Sequence, residues 1–444
     1  MRFRLLAVLG TLIIILVSII PIAKAETEIV LDEYDMGLTP TVFGNWTAVD
    51  GEAIMGFTVT DDGNMYTVSY NRFFRVIHGP TQVSLIAWGS NGEVRWSHIT
   101  NHFDRIYCDV TSDQSNIFVV GSWNEDILVE KYSFEGDLIW NSTIDLGQTE
   151  RGYEICVMGD GTIIVGGSWW PSDQEYPPYD REYLLLALNQ TGQTMWSYGC
   201  DEYPSPRCDS EYLYITTEGT LQKWDSNGLS DSSAGYYAGR LGCVSGNAIY
   251  TISSSAFIER YERVSLGHSA AYPTEVEVTS WNPDTLEELK SSSLMLCNAS
   301  QELFHYSGID TAINQDASIR ILLQVNEIES WYLINLDQDI ELTSFIKLLD
   351  GEWFNALLEI DDYRNAYVAA TSYTPSFASL TYELTVMKFD AEQILSTETS
   401  TSTTGTNGFT DLGTSQMIGV AFIAIVVIDL YLLVLLKQRW LEKT

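Results

Sequence analysis

The sequence predicts an all-β fold, a seven-bladed β-propeller of four-stranded blades, and three observations predict it. Paired apolar strands separated by tight turns recur along residues 26–395, and helical periodicity is nearly absent there. A hydrophobic residue, a polar step and a turn follow one another at Trp88, Tyr132, Leu188, Trp224, Trp281, Leu336 and Phe389. Their spacing of roughly 40 to 55 residues is the period of propeller blades.

The chain opens with residues 1–25, which read as a signal peptide. Arg2 and Arg4 precede the apolar run Leu5–Ile20, and small residues at Ala23 and Ala25 suit a cleavage site. "TEIVLDEY" (Thr27–Tyr34) follows and is expected to supply the outer strand of the last blade. That blade ends at "VMKFDAEQIL" with no outer strand of its own, and a bare edge needs cover.

Within each blade the strands flank tight turns, as in "GFTVTDDGNMYTVSY" and "EICVMGDGTIIVGGS". Asp-Gly between apolar runs marks a hairpin, because a type I′ turn needs positive φ at both central residues. The outer strands carry a second mark. Gly92 and Trp96, Gly136 and Trp140, and Gly192 and Trp196 repeat one Gly-x-x-x-Trp spacing. The space between radial blades widens outward, so bulky indoles at Trp96, Trp140 and Trp196 suit the periphery and small residues suit the axis. Cys108, Cys156, Cys208 and Cys243 fall on the innermost strands by this reading.

"LLALNQTGQTMW" (Leu185–Trp196) resembles the quinoprotein-type, or PQQ-like, propeller repeat at Leu186, Ala187, Leu188, Gly192 and Trp196. Blades one to three carry the resemblance. Blade four keeps Gly228 without the tryptophan, and blades five to seven keep only the strand–turn outline. The resemblance implies a fold, with no cofactor: quinone-dependent dehydrogenases of that family use eight blades and adjacent cysteines, and no two cysteines here are adjacent.

Long insertions fall between the second and third strands of alternate blades: "NRFFRVIHGPTQ", "WWPSDQEYPPYDREY", "ERYERVSLGHSAAYPTE" and "SYTPSFASLTYE". These loops share one face of the ring with the blade-to-blade connections, and loops held by a rigid scaffold are where binding concentrates. Trp169, Trp170, Tyr176, Tyr179 and Asp180 could stack and hydrogen-bond a sugar or anchor a peptide; the competing reading is a loop that packs its own aromatics. Arg72 and Arg75 stand out because bases are scarce, although pairing with nearby acids explains them as well.

Six cysteines in an exported chain permit disulfides, and Cys200–Cys208, bracketing "DEYPSPR", is the pair to test first. Cys108 and Cys156 read as packing residues. Asn45, Asn141, Asn189 and Asn298 begin N-glycosylation sequons.

Catalytic chemistry has little to stand on. His98 and His102 in "HITNH" have a metal-like spacing, but no glutamate lies between them and no helix carries them, so no metal is expected. The Asp-Gly pairs open no calcium loop of the D-x-D-x-D-G kind. The Gly-to-Trp spacing is one residue too long for sialidase-type Asp boxes. Paired carboxylates for glycoside cleavage stay open, since sequence spacing says nothing about them.

After the ring, residues 396–415 form a Ser/Thr-rich stalk that buries too little apolar area to fold. Residues 416–436 are apolar enough for one membrane-spanning helix, and Lys437, Arg439 and Lys443 place the tail 437–444 in the cytoplasm. Asp429, inside that span, points to a transmembrane partner. The chain holds 60 acidic against 23 basic residues, a net charge of −37, which repels nucleic acid. The expectation is a plasma-membrane protein whose exterior propeller serves as a binding or scaffolding ectodomain for a protein or glycan. The layout resembles that of archaeal surface proteins. The alternative is an extracellular carbohydrate-active hydrolase or lyase with carboxylates at the channel mouth.

Overall fold

The computed structural model describes residues 25–30, 40, 42–49, 52–71, 83–100, 105–171, 182–217, 220–232, 240–245, 248–253, 275–297, 306–325, 330–350, 353–375 and 380–394. They form seven sheets, in which all pairings but one are antiparallel. The first two strands are β1 (Ala25–Val30) and β2 (Val42–Val49). Blade one follows with β3 (Glu52–Val59), β4 (Met65–Asn71), β5 (Val83–Trp88) and β6 (Val94–Thr100). Blade two holds β7 (Arg105–Ser112), β8 (Asn116–Trp123), β9 (Asp126–Ser133) and β10 (Leu138–Ile144). Blade three holds β11 (Thr149–Val157), β12 (Ile163–Trp170), β13 (Glu182–Leu188) and β14 (Thr194–Cys200). In blade four they are β15 (Arg207–Cys208), β16 (Leu213–Thr217), β17 (Thr220–Asp225) and β18 (Gly228–Ser232). Blade five has β19 (Arg240–Ser245), β20 (Ala248–Ser253), β21 (Glu275–Trp281) and β22 (Glu288–Cys297). Blade six has β23 (Tyr306–Ile313), β24 (Ile319–Val325), β25 (Ser330–Leu336) and β26 (Leu342–Asp350). The last strands are β27 (Trp353–Ile360), β28 (Ala366–Pro375) and β29 (Leu380–Phe389).

The first strands of the blades touch in a closed cycle, β3–β7–β11–β15–β19–β23–β27 and back to β3, so they surround the axis. Every buried hydrophobic cluster spans one pair of neighbouring blades, from Leu85 with Val119 between blades one and two to Met65 with Tyr367 between blades one and seven. The core is a set of radial gaps. Middle strands are covered on both faces, which is why they read as unbroken apolar runs and not as alternating ones. β5 and β25 are buried at every residue. The seven repeat positions, Trp88 through Phe389, are each the last or next-to-last residue of a third strand.

Closure differs from the expectation. Thr27–Val30 belong to β1, which pairs parallel with β22 at the edge of blade five. The outer strand of blade seven is β2, antiparallel to β29 from Val42 opposite Lys388 to Val49 opposite Thr381. The reason is chain economy: only two residues separate β2 from β3, matching the short outer-to-inner connections elsewhere, whereas β1 ends at Val30, more than twenty residues of sequence before β3. The blade-seven insertion is also shorter than expected, because most of "SYTPSFASLTYE" continues β28 and β29 and leaves only residues 376–379 between them.

The leader up to residue 24, the stalk, the apolar run with Asp429, and the tail lie outside the described residues; Ala25, the leader's last residue, opens β1. Among the described residues, no helix is long and apolar enough to cross a membrane.

Candidate functional site

The second-to-third loops and the blade-to-blade connections emerge at one end of the ring, and the widest separations between strands of one blade are second-to-third ones: 72–82, 171–181 and 254–274. Arg72, Arg75, Tyr176, Tyr179 and Asp180 lie outside the described residues. Trp169 and Trp170 end β12 and are described. Trp169 is half-buried and packs into the apolar cluster between blades two and three. Trp170 is only 2% exposed, and the Arg151 guanidinium stacks 5.2 Å from its ring centre. Both indoles are thus engaged in packing the rim on which the inserted segment stands.

Beside them lies an aromatic group that sequence reasoning missed. The Tyr203 ring lies 5.8 Å from Tyr153 and 5.8 Å from Tyr183, edge-on to the latter. Tyr153 is buried, and its hydroxyl accepts the Ser168 hydroxyl at 3.0 Å. Tyr183 and Tyr203 are half-buried, and Tyr183 also packs against the apolar cluster between blades three and four. The signal was present in "DREYLLL", where Tyr183 closes the inserted string and opens the apolar run of β13.

Inward from this rim the axis is lined by acids. Asp109, Glu154 and Asp310 each lie three residues ahead of Ser112, Val157 and Ile313. Those three face Ile117, Ile163 and Ile319, which face the repeat positions Tyr132, Leu188 and Leu336. The three carboxylates therefore occupy one level of the ring. Asp109 accepts the Ile155 amide of the next blade at 3.1 Å, and Asp310 accepts the Leu358 amide of its next blade at 2.9 Å. Glu154 accepts Arg207 Nη1 at 2.9 Å and the Ser205 hydroxyl at 3.2 Å. Arg207 reaches on to the Gly242 carbonyl at 3.3 Å. Burial works against the charge on Arg207, but Glu154, then Asp109 and Asp310, raise its pKa above the ordinary value. The guanidinium stays charged and joins blades three, four and five. These axial groups are inter-blade connectors, each already holding a partner.

The cysteine expectation is corrected here. Cys208 pairs with Cys156, with Cα atoms 5.8 Å apart. Neighbouring innermost strands converge at the axis and bring these two together, whereas Cys200 ends the outermost strand β14 and is buried in the cluster between blades three and four. Closeness in sequence was the wrong guide. Cys108 and Cys243 are buried thiols on inner strands, and burial pushes Cys243 up to about 12.

Trp96, Trp140 and Trp196 lie on β6, β10 and β14. Each indole N–H donates, at 2.9 Å, to a backbone carbonyl in the last turn of the next blade: Phe134, Gln190 and Ser226. His98 Nε2 contacts the Gly136 carbonyl at 2.7 Å, and its ring stacks on Tyr132. His102 lies outside the described residues. Of the sequon asparagines, Asn45 and Asn141 are exposed. Asn189 is half-buried, with its side chain closing a turn onto the Thr191 amide. Asn298 lies outside the described residues.

No family model matches the chain, and no curated protein matches it significantly. Solved structures align with it at low identity. A Bacteroides uniformis protein, provisionally named a 6-phosphogluconolactonase, is 12% identical over 66% of this chain and 85% of its own, with a TM-score of 0.43. The polysaccharide lyase Uly1 is 8% identical over 83% of this chain and 97% of its own, with a TM-score of 0.42. BBS1N, solved in complex with ARL6DN, is 10% identical over 79% of this chain and 98% of its own, with a TM-score of 0.41. None of these likenesses bears on activity.

Proposed function

We propose that the propeller is a binding or scaffolding ectodomain that engages a protein or glycan at the loop-rich end of blade three. The observation that carries this reading is the half-buried Tyr183–Tyr203 pair, on the blade whose Trp169–Trp170 rim precedes the inserted segment in the chain. Such rings offer apolar area and a polar tip at little entropic cost. The commitment of Asp109, Glu154 and Asp310 to inter-blade bonds weighs against the alternative, a carbohydrate-active hydrolase or lyase that works through carboxylates at the channel mouth, and a hydrolase in particular needs two carboxyls left to the substrate.

The same reading takes the PQQ-like resemblance as one of fold and the layout as that of an archaeal cell-surface protein. Residues 1–25 direct export, and residues 396–415 hold the ring away from the membrane. Residues 416–436 anchor it, with Asp429 contacting a partner helix. Sugar at Asn45 and Asn141 faces outward.

The test is a glycan and peptide array probed with a 26–395 fragment, beside a glycosidase panel. The expected result is retention of a ligand without turnover, with the signal lost in Tyr183→Ala and Tyr203→Ala. Released product in the panel would overturn the reading.

A further inference from the structure

A second polar cluster lies at the same end of the ring, between blades two and three. Asp126 opens β9 after a two-residue turn, Asp145 follows β10, and Glu150 is the second residue of β11. One carboxylate oxygen from each lies within 4.8 Å of those from the other two. Glu150 is wholly buried. Its Oε1 accepts the amides of Leu146 at 3.1 Å and Gln148 at 2.9 Å, while its Oε2 is buried with no hydrogen-bond partner. A buried carboxylate oxygen without a donor is costly unless something positive meets it.

We propose that Asp126, Asp145 and Glu150 form a Ca²⁺ site that clamps blade two to blade three. The ligands are carboxylates alone, with no imidazole or thiolate among them, which selects a hard cation. Two ligands on one ion stand no farther apart than twice the bond length, and Ca²⁺ bonds of roughly 2.3–2.6 Å reach oxygens up to about that 4.8 Å limit in a flexible shell. Mg²⁺, with bonds of about 2.0–2.1 Å and strict octahedral demands, fits less well.

The local electrostatics agree. Glu150 titrates above its ordinary value, through burial first and then the charges of Asp126 and Asp145, although the two amides pull it down. Asp126 is raised as well, by burial first, then by Asp145 and Glu125. Glu125 adds another acid nearby, and its carboxylate accepts the Thr149 hydroxyl at 3.3 Å. A bound dication would relieve all of these repulsions at once.

Position gives the site a consequence. Glu150 pairs directly with Trp169 across β11 and β12, so the ion would brace the strand pair that carries the blade-three rim. The inference stands whether or not that rim binds a ligand.

Thermal unfolding and calorimetric titration of the full-length protein test it, comparing chelator, CaCl₂ and MgCl₂. Ca²⁺ is expected to raise Tm and to bind with unit stoichiometry above any diffuse background from the acidic surface. Asp145→Asn, at the exposed ligand, keeps an oxygen to accept the Gly147 amide that Asp145 holds at 2.7 Å, and should weaken binding more than about tenfold. Glu150→Gln should melt no lower than wild type in chelator, because a buried charge is removed, yet gain nothing from Ca²⁺. Asp201→Asn, an exposed acid outside the cluster, should behave as wild type. An equal Ca²⁺-induced rise in wild type, Asp145→Asn and Glu150→Gln would overturn the site. So would no rise in wild type, and an equal rise with Mg²⁺ would overturn the assignment to Ca²⁺.

Discussion

Trp140 closes over Gly192. The indole N–H of blade two reaches the Gln190 carbonyl in the last turn of blade three, and the ring lies so near Gly192 that a Cβ there would stand 2.9 Å from it. Trp96 covers Gly136 in the same way one blade earlier. The glycine and tryptophan of one Gly-x-x-x-Trp motif are therefore not partners. Each tryptophan seats on the glycine of the following blade.

A double-mutant cycle tests that seating. Trp140 is only half-buried, so Trp140→Ala should cost about 2–3 kcal/mol, less than a fully buried indole would. Gly192→Ala should cost at least ~1–2 kcal/mol, because the residue has φ +80° and the new methyl meets the indole. The double mutant should cost less than the sum, since the clash vanishes with the ring while the backbone strain remains. Urea melts give all three values. Additivity within ~0.5 kcal/mol would dismiss the contact.

The same relationship explains how much of the fold the sequence disclosed. The third strands were legible because both of their faces are covered and each ends at a turn, as at Leu188 and Leu336. The motif faded in later blades for a physical reason. The turn keeps its left-handed residue, but Leu286 (φ 53°) and Ile340 (φ 58°) stand where earlier blades have glycine. Both are buried, in the gaps that blades four and five leave without an outer tryptophan. A side chain from the next blade replaces the missing indole, which a search for Gly and Trp together cannot find. The axial acids were illegible for another reason. Asp109 and Asp310 are two among 60 acids, and only strand register brings them to one level. Residues such as Lys131 and Lys223 were readable in hindsight, since each directly precedes a repeat aromatic. Lys131 bonds Gln190 Oε1 at 2.7 Å and Lys223 the Pro283 carbonyl at 2.8 Å, both in the next blade.

The disulfide should be a substantial support. Cys156 and Cys208 are 52 residues apart, and closing a loop of that length restricts the unfolded chain by about 4 kcal/mol in the chain-entropy account. Cys208→Ala, or reduction in wild type, should lower stability by an amount of that order, and Cys200→Ala should not abolish the effect of reductant. Non-reducing peptide mapping decides the pairing, and a Cys200–Cys208 peptide would reject the axial bridge.

The ring should depend on β2 far more than on β1. Replacing residues 42–49 by a Gly/Ser linker bares the edge of β29 and removes Trp46 from the cluster between blades seven and one. A loss on the order of 3 kcal/mol is expected. Gly44 sharpens the test, because any side chain there would run into the Gly92 carbonyl of blade one, so Gly44→Val alone should destabilise. Replacing residues 25–30 should cost far less, since β22 already pairs with β21. The reverse order of effects in chemical denaturation would restore closure by the earlier strand.

Alkaline pH should unfold the ring through its buried phenols. Burial, together with the charges of Asp62 and Glu135 and against that of Arg95, pushes Tyr66 up to about 12 from 10.0. Burial raises Tyr214 and Tyr367 too, and the carboxylates of Asp209 and Asp361 that accept their hydroxyls push the same way. Tyr250, raised chiefly by burial, donates to the Ala317 carbonyl of the next blade at 2.6 Å. Each folded pKa exceeds the unfolded one, so the contribution to stability is whole below pH ~10 and is lost as pH climbs through the folded values. One such phenol should lower stability by about 1.4 kcal/mol per pH unit within that window. Tyr250→Phe should be less stable at neutral pH, because the Ala317 carbonyl loses its donor, but should decline less steeply above pH ~10. Urea midpoints read against pH report both slopes. Tyrosinate absorbance appearing in full near pH ~10, with the fold intact by circular dichroism, would show that these phenols are not held back by the blades.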